Sequence, residues 1–98
     1  MKVQIQSIHF DADHKLLDYI QKKCDKLDQF FDKIVDAQVY LRVEKKGEPS
    51  VKSVEIKLLV PGETLLANEE SYHFEESVDK ATENLKRQLK KYKDKLRD

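Results

Sequence analysis

The sequence predicts an α+β fold, a two-layer sandwich in which a four-stranded sheet carries two helices on one face. The predicted elements follow the order β-α-β-β-β-α, with no internal repeat and no linker between them. The predicted strands alternate apolar and polar residues, so one face of the sheet is apolar and must be covered. Two predicted helices each carry an apolar stripe that can cover this face, which makes the sandwich the expected arrangement.

Length and composition predict a single domain over residues 1–98. A chain of 98 residues can bury one core without disulfides or metal ions. The first ten residues alternate in polarity and lack the apolar segment of a signal peptide, and no apolar run reaches membrane-spanning length. Cys24 is the only cysteine, which excludes an internal disulfide and a cysteine-based metal cluster within one chain. We therefore expect a cytoplasmic protein without membrane association.

The first part of the chain predicts a strand and then a helix. Residues 2–8 alternate, with Val3 and Ile5 on the apolar face. Asp13 is the expected N-cap of a helix over residues 14–31. The apolar stripe of this helix and the residues after it consists of Leu16, Leu17, Ile20, Cys24, Leu27, Phe30, Phe31 and Ile34. Because Cys24 lies inside this stripe, we expect a small core residue rather than a nucleophile.

Three more strands are predicted over residues 37–46, 51–60 and 64–69. Turn residues lie between them, at 46–50 and at Pro61-Gly62. Such short connections predict an antiparallel meander. The residues expected to point towards the core are Val39, Leu41 and Val43 in the first of these strands, and Val54, Ile56, Leu58 and Val60 in the second.

The last predicted helix, residues 74–98, carries a net positive charge that the rest of the chain lacks. From Lys80 onward the chain has eight basic and three acidic residues, so this segment is about +5 and the remainder about −5. The expected core stripe of the helix is Phe74, Val78, Leu85, Leu89, Tyr92 and Leu96, with the small Ala81 and Thr82 alongside. At about 100° per residue, the basic residues fall on both sides of this stripe: Lys80, Arg87, Lys91 and Lys95 on one side, Lys86, Lys90, Lys93 and Arg97 on the other. This distribution favours binding of an anion or a nucleic acid.

The sequence offers little support for catalysis or for a metal site. It lacks a nucleophile elbow, a Gly-rich phosphate loop and a paired histidine-carboxylate motif. Residues 9–14 include two histidines and two aspartates, but a metal site needs ligands that converge on one point, and a polar loop supplies such residues by chance. We therefore predict no enzymatic activity, no cofactor and no small-molecule substrate, and we expect His73 to be a solvated residue before the last helix.

The order of the elements resembles the double-stranded-RNA-binding domain, α-β-β-β-α, with one strand added in front. An RNA-recognition-motif domain would follow the order β-α-β-β-α-β and would display aromatic residues on its open sheet face. Here Tyr40 is the only candidate aromatic for that face. We therefore do not expect bases to stack on the sheet.

Two segments carry a more specific resemblance: residues 23–34, KCDKLDQFFDKI, and residues 87–97, RQLKKYKDKLR. The segment 41–45, LRVEK, and the spacing from Asp79 to Arg87 add to it. On these features the chain resembles, over essentially its whole length, the short ribosome hibernation promoting factors, also called ribosome-associated inhibitor or sigma-54 modulation proteins. The resemblance implies a bacterial translation inhibitor of stress or stationary phase. Such a protein binds the small ribosomal subunit in the tRNA and mRNA channel, in some cases together with a separate ribosome-dimerising factor.

The resemblance also implies which residues contact ribosomal RNA. Ten residues match basic family positions: Lys23, Lys26, Lys33, Arg42, Lys45, Arg87, Lys91, Lys93, Lys95 and Arg97. We add Lys80 and Lys90, which lie on the same basic sides of the last helix. Contacts of this kind go mainly to phosphates, so affinity should fall steeply with salt and depend little on base identity.

The chain departs from the family pattern around the start of the last helix. His73 stands where the family has an Asp, Glu75 where it has a Tyr, and Asn84 where it has a Lys. Glu75 and Glu76 suit the helix dipole, but we expect them to weaken RNA contact there. Lys80 lies one turn before Asn84 on the same side of the helix and is expected to compensate for the missing charge.

Two other hypotheses stay open from the sequence. The protein could be a double-stranded RNA-binding protein unrelated to the ribosome, or a regulatory module whose basic helix docks an acidic protein. Comparable affinity for a plain RNA duplex and for ribosomes would favour the first. Loss of binding after nuclease treatment would count against the second.

Overall fold

The computed structural model describes residues 1–45 and 47–96. Its elements are β1 (Lys2–Ile8), α1 (His14–Phe30), β2 (Asp36–Glu44), β3 (Val51–Val60), β4 (Glu63–Ser71) and α2 (Phe74–Leu96). The predicted β-α-β-β-β-α order is therefore confirmed. β4 extends further at both ends than predicted, whereas the predicted ends of the second strand and of the last helix, at Lys46 and Asp98, lie outside the described residues.

The four strands form one sheet in the order β1-β2-β3-β4. β2, β3 and β4 pair antiparallel, which confirms the meander, and β1 pairs parallel with β2. The parallel pair arises because α1 crosses back between the two strands, so the chain enters both in the same direction. α2 packs over β3 and β4, and α1 packs beside α2, so the two helices form the second layer.

One layer of apolar side chains fills the space between the sheet and the helices. Both helices and the three antiparallel strands contribute to it, and its largest fully buried members are Ile20, Leu41, Ile56, Leu58, Leu85 and Leu89. Cys24 is fully buried in this core, as predicted. Burial raises the pKa of its thiol to about 12, which keeps the sulfur protonated and unreactive.

Two residues predicted to be in the core are exposed instead. Val43 exposes 37% of its surface. Its register partner on β3, Lys52, accepts a bond from the first turn of α2, so Val43 on β2 lies at the point where the cover by the helix only begins. Leu96 exposes 58%, because it lies one turn beyond Tyr92, whose hydroxyl already reaches Pro61 in the turn after β3. The apolar periodicity in each case continues past the end of the opposing layer.

The helix starts are fixed by local hydrogen bonds. The Asp13 carboxylate accepts a bond of 2.9 Å from the Leu16 amide, which confirms the predicted N-cap. At the start of α2, the Ser77 hydroxyl donates to the Lys52 carbonyl at 2.7 Å and ties the first turn to β3. Glu75 and Glu76 lie in that first turn, where the positive end of the helix dipole stabilises carboxylates.

Candidate nucleic-acid interface

The basic residues of α2 lie on two flanks that face different neighbours. We call the side towards α1 the α1 flank; it consists of Lys86, Lys90 and Lys93. The side that runs along β4 is the β4 flank, and its members are Lys80, Asn84, Gln88 and Lys91. Arg87 lies between them, because it lines one concavity with Phe30 of α1 and another with Glu69 of β4.

A groove of about 510 Å³ opens between the end of α1 and the outer surface of α2. We call it the Phe30 groove, after the half-buried ring of α1 that lines it. Four basic side chains also line it: Lys86, Arg87, Lys90 and Lys93. Glu83 and Asp94 complete the lining, so cations outnumber carboxylates there by four to two.

Two of these cations lie against the Phe30 ring. The Lys93 ammonium is 4.4 Å from the ring centroid and donates to the Phe30 carbonyl oxygen at 3.1 Å. The Lys86 ammonium is 5.6 Å from the same centroid. Such cation–π contacts stabilise a cation by roughly 0.5–1 kcal/mol at exposed sites. The groove therefore combines an aromatic surface with positive charge held beside it.

A second concavity continues the Phe30 groove along the space between the helices. Lys23 and Lys26 of α1 line it, together with Phe30, Glu83 and Lys86. These two lysines thus join the α1 flank of α2, although Lys26 and Lys86 are 60 positions apart in the sequence. The predicted basic residues of both helices form one continuous surface here.

Lys23 also has a structural partner that the sequence did not indicate. Its ammonium donates to the Asp79 carboxylate at 3.0 Å, and the Tyr19 hydroxyl donates to the same oxygen at 2.5 Å. Partial burial pushes the pKa of Asp79 upward, but the hydrogen bonds from Tyr19 and Lys23 outweigh it and lower the pKa. The hydrogen bond with Asp79 raises the pKa of Lys23. This cluster bridges α1 and α2, so part of the Lys23 charge is already matched within the protein.

Polar side chains attach the β4 flank to the edge of the sheet. Asn84 donates to Glu69 at 3.3 Å, and Gln88 donates to the Leu66 carbonyl at 2.9 Å and to the Asn84 side chain at 2.7 Å. One turn further on, the Tyr92 hydroxyl donates to the Pro61 carbonyl at 2.5 Å. Asn84, where the resemblance predicts a lysine, bonds to Glu69 and Gln88 and helps to hold α2 on β4.

Lys80 of the β4 flank and the neighbouring Arg87 lie beside carboxylates. The Lys80 ammonium is 3.8 Å from Glu76, one turn earlier on the helix, and both side chains are about half exposed. An exposed pair of this kind contributes little to stability. Lys80 and Arg87 also line a shallow concavity together with Glu69, Asp79 and Glu83. The field at this flank is therefore weaker than a count of its cations suggests.

The remaining predicted residues do not all join this surface. Lys33 is exposed in the turn after α1, and Lys91 and Lys95 are exposed on α2. Arg42 is exposed on β2, where the buried Ala37, Val39 and Leu41 define the opposite, helix-covered face, and Lys45 follows the end of that strand. The structure therefore separates Arg42 from the basic surface of the helices. Arg97 lies outside the described residues.

Sequence reasoning overlooked Phe30 and Lys86 as site residues. A signal for Phe30 was present, since two consecutive aromatics in a helix point about 100° apart and cannot both enter the core. Phe31 is the buried one, packed edge-on against Tyr92 with ring centroids 5.5 Å apart. Phe30 is left at the margin of the core, facing the groove.

In residues 1–45 and 47–96, no group of three or more His, Cys, Asp and Glu side chains is placed to hold a metal ion. The helices in these ranges are too short or too polar to span a bilayer.

The chain is similar to known proteins over nearly its whole length. The sequence profile of the family described as sigma 54 modulation protein / S30EA ribosomal protein matches residues 3–97. The ribosome hibernation promoting factor of Pseudomonas putida is 36% identical over 95 residues, which cover 97% of this chain and 89% of that protein. The protein of the same name from Escherichia coli K12 is 32% identical over 97 residues, covering 99% and 98%.

Solved structures resemble the fold over nearly its full length. A ribosomal subunit interface protein from Coxiella burnetii superposes with a TM-score of 0.85 at 27% identity, covering 95% of this chain and 98% of that one. The N-terminal domain of Thermus thermophilus protein Y superposes with a TM-score of 0.78 at 26% identity, covering 93% and 94%. With the profile match, these comparisons establish that the chain belongs to the sigma 54 modulation protein / S30EA ribosomal protein family.

Proposed function

We propose that this family member is a ribosome-associated hibernation factor that acts by binding and not by catalysis. The single observation that carries the proposal is the continuous basic surface between α1 and α2, in a chain whose relatives are named ribosome hibernation promoting factors. Ribosomal RNA presents ridges of phosphate, and a rigid surface with several lysines and arginines is complementary to them.

The proposed binding site on the ribosome is the tRNA and mRNA channel of the small subunit. A protein seated there would exclude tRNA and mRNA by occupying their space, which inhibits translation without any chemical step. Residues 1–98 would act as one ribosome-binding domain, working in the bacterial cytoplasm. Each phosphate contact should contribute to the salt dependence, so binding through several lysines should weaken sharply between low and moderate salt.

Sedimentation with ribosomes tests this proposal. The wild-type protein should travel with small subunits or whole ribosomes at moderate salt and should inhibit cell-free translation. Reversing two charges with Arg87→Glu and Lys91→Glu should weaken this association at least about tenfold near 0.1 M salt while the circular dichroism spectrum stays unchanged. A wild-type protein that stays at the top of the gradient even at low salt contradicts the proposal.

A control with the same change in net charge is available on the open face of the sheet. Lys2→Glu with Lys57→Glu alters two lysines of β1 and β3 that lie away from the helices. This variant should sediment with ribosomes much as the wild type does. Equal loss in both variants would mean that net charge, not the helix surface, governs binding. Binding in a lysate that survives nuclease treatment would instead indicate an acidic protein as the partner.

A further inference from the structure

We propose that the Phe30 groove holds one unpaired nucleotide of the bound RNA, with its base against the Phe30 ring and its phosphates on Lys86, Lys90 and Lys93. This inference rests on the proposed function and deepens it. On this proposal, the Phe30 groove recognises a single-stranded nucleotide and not the backbone of a duplex.

The size and the rigidity of the groove suit a nucleotide. Its volume of about 510 Å³ lies within the range of about 300–1,000 Å³ typical of small-molecule sites. Phe30 packs on its inner side against the core, which fixes the ring, while its outer side lines the groove. A fixed aromatic surface costs little entropy when a base stacks on it.

The charges beside the ring favour a nucleotide that carries both a base and a phosphate. Aromatic side chains next to a positively charged groove are the combination by which proteins bind single strands. The Lys93 ammonium lies over the ring at 4.4 Å, so a stacking base would displace it from the ring face, and its bond to the Phe30 carbonyl would keep the displaced charge beside the groove, within reach of the phosphate. The adjoining concavity, with Lys23 and Lys26, can receive the next phosphate along the strand.

The two carboxylates in the groove argue for an unpaired base. Glu83 and Asp94 would repel phosphates that lie directly against them, whereas the lysines around the groove still attract phosphates. Both can accept hydrogen bonds from N–H groups on the edge of a base. In a duplex those N–H groups are already paired, whereas an unpaired base offers them freely. The mixed lining therefore favours an unpaired nucleotide over a duplex backbone.

Short RNA oligomers test the proposal by fluorescence anisotropy. Phe30→Leu removes the ring but keeps an apolar side chain, so affinity for a single strand should fall about five- to a hundredfold, the range for loss of one stacked base. Affinity for a duplex of equal length should change by less than about twofold on the same grounds. The dependence of single-strand affinity on salt should keep its slope, because no phosphate contact is lost.

Three controls separate stacking from stability. Phe30→Tyr keeps the ring and should bind the single strand as the wild type does. Phe31→Leu alters the neighbouring buried aromatic and should lower the melting temperature while leaving single-strand affinity intact. An abasic strand of the same length probes the unmodified protein, and it should bind more weakly than the intact strand by a factor similar to that of Phe30→Leu.

The outcomes distinguish this proposal from the ribosomal one. An abasic strand that binds as tightly as the intact strand overturns the nucleotide site, and so does equal weakening of strand and duplex by Phe30→Leu. If the wild type sediments with ribosomes and Phe30→Leu sediments equally well at every salt concentration, the ribosomal function stands and the nucleotide site falls. If the wild type does not sediment at all, the ribosomal function itself fails.

Discussion

The two flanks of α2 both carry lysines, but the side chains of one flank bond to the sheet, whereas those of the other line an open groove. On the β4 flank, Asn84 and Gln88 bond to the strand, and Lys80 stands beside Glu76. On the α1 flank, Lys86 and Lys93 lie against the Phe30 ring at the edge of an open groove. The β4 flank thus holds the helix in place, and the α1 flank presents charge to a ligand.

This difference explains why a count of charges misjudges the surface. A cation contributes fully to binding an anion only where nearby carboxylates do not offset it. Lys23 shows the intermediate case, because it lines the basic surface and also pairs with Asp79. The contribution of each lysine therefore depends on its partners, and variants on the two flanks should behave differently.

The largest effect is expected from charge reversal on the α1 flank. Lys86→Glu with Lys93→Glu should weaken ribosome binding by roughly a hundredfold or more near 0.1 M salt, since each lost phosphate contact contributes about one power of ten there. Lys80→Glu with Lys91→Glu, the same change on the β4 flank, should cost about tenfold. Sedimentation across a salt series measures both, and equal losses would remove the distinction between the flanks.

Removing the hydrogen bonds that attach α2 to β4 and to the turn before it should lower the stability of the protein without changing its affinity for ribosomes. Tyr92→Phe leaves the Pro61 carbonyl without its hydroxyl partner and should lower the free energy of unfolding by about 1 kcal/mol. Gln88→Ala, which removes the bonds to Leu66 and Asn84, should have a similar cost. Urea unfolding measures these changes. A clear loss of ribosome affinity in a still-folded variant would show that Tyr92 or Gln88 itself contacts the RNA.

The Asp79 cluster should respond to pH. Since the folded protein lowers the pKa of Asp79, the stability this carboxylate contributes is present above its unfolded pKa of about 3.9 and is lost as the pH falls through the folded value. Asp79→Asn should therefore be less stable than the wild type at neutral pH, and the difference should vanish in acid. The melting temperatures of both proteins, recorded from pH 2 to pH 7, measure this difference.

Asp79→Asn, which should lower stability at neutral pH, should at the same time strengthen RNA binding. Removing the carboxylate frees the Lys23 charge, so affinity for ribosomes should rise a few-fold at low salt. Asp25→Asn is a matched control on the exposed face of α1, where the carboxylate bonds to Gln21 and not to a basic residue. A rise of equal size in Asp25→Asn would assign the effect to net charge.

The smallest effect is expected from restoring the family residue at position 84. Asn84→Lys adds a charge, but the new ammonium lies next to Glu69 and the bond to Gln88 is lost. Ribosome affinity should change by no more than about twofold, and stability by less than about 1 kcal/mol. An increase of tenfold or more would mean that the β4 flank contacts RNA directly at this turn.

Local patterns were sufficient to predict the fold. The alternation in β3 and the period of Leu85, Leu89 and Tyr92 reflect local geometry, and both are confirmed by burial. Val43 and Leu96 continue those patterns but lie past the covering layer, whose extent depends on how far the opposing elements reach. Periodicity indicates the direction in which a side chain points and not whether anything covers it.

The candidate site was only partly predictable for a similar reason. The basic residues of α2 could be found from composition, because they are close together in the sequence. The contact of Tyr19 with Asp79 joins residues 60 apart, and that of Lys93 with Phe30 joins residues 63 apart, so neither leaves a local signal. Which lysines are matched internally is decided by such distant contacts.

The bond from Gln88 to Leu66 also bears on how copies of the protein behave towards one another. β4 is an edge strand, and the free backbone of an edge can pair with the edge of a second molecule and start aggregation. Gln88 already bonds to one carbonyl of β4, that of Leu66, and the acidic Glu63 at the start of the strand adds a charge that repels its counterpart on a second copy. The side chain that attaches α2 to the sheet therefore also leaves one carbonyl fewer on β4 for a second molecule to pair with.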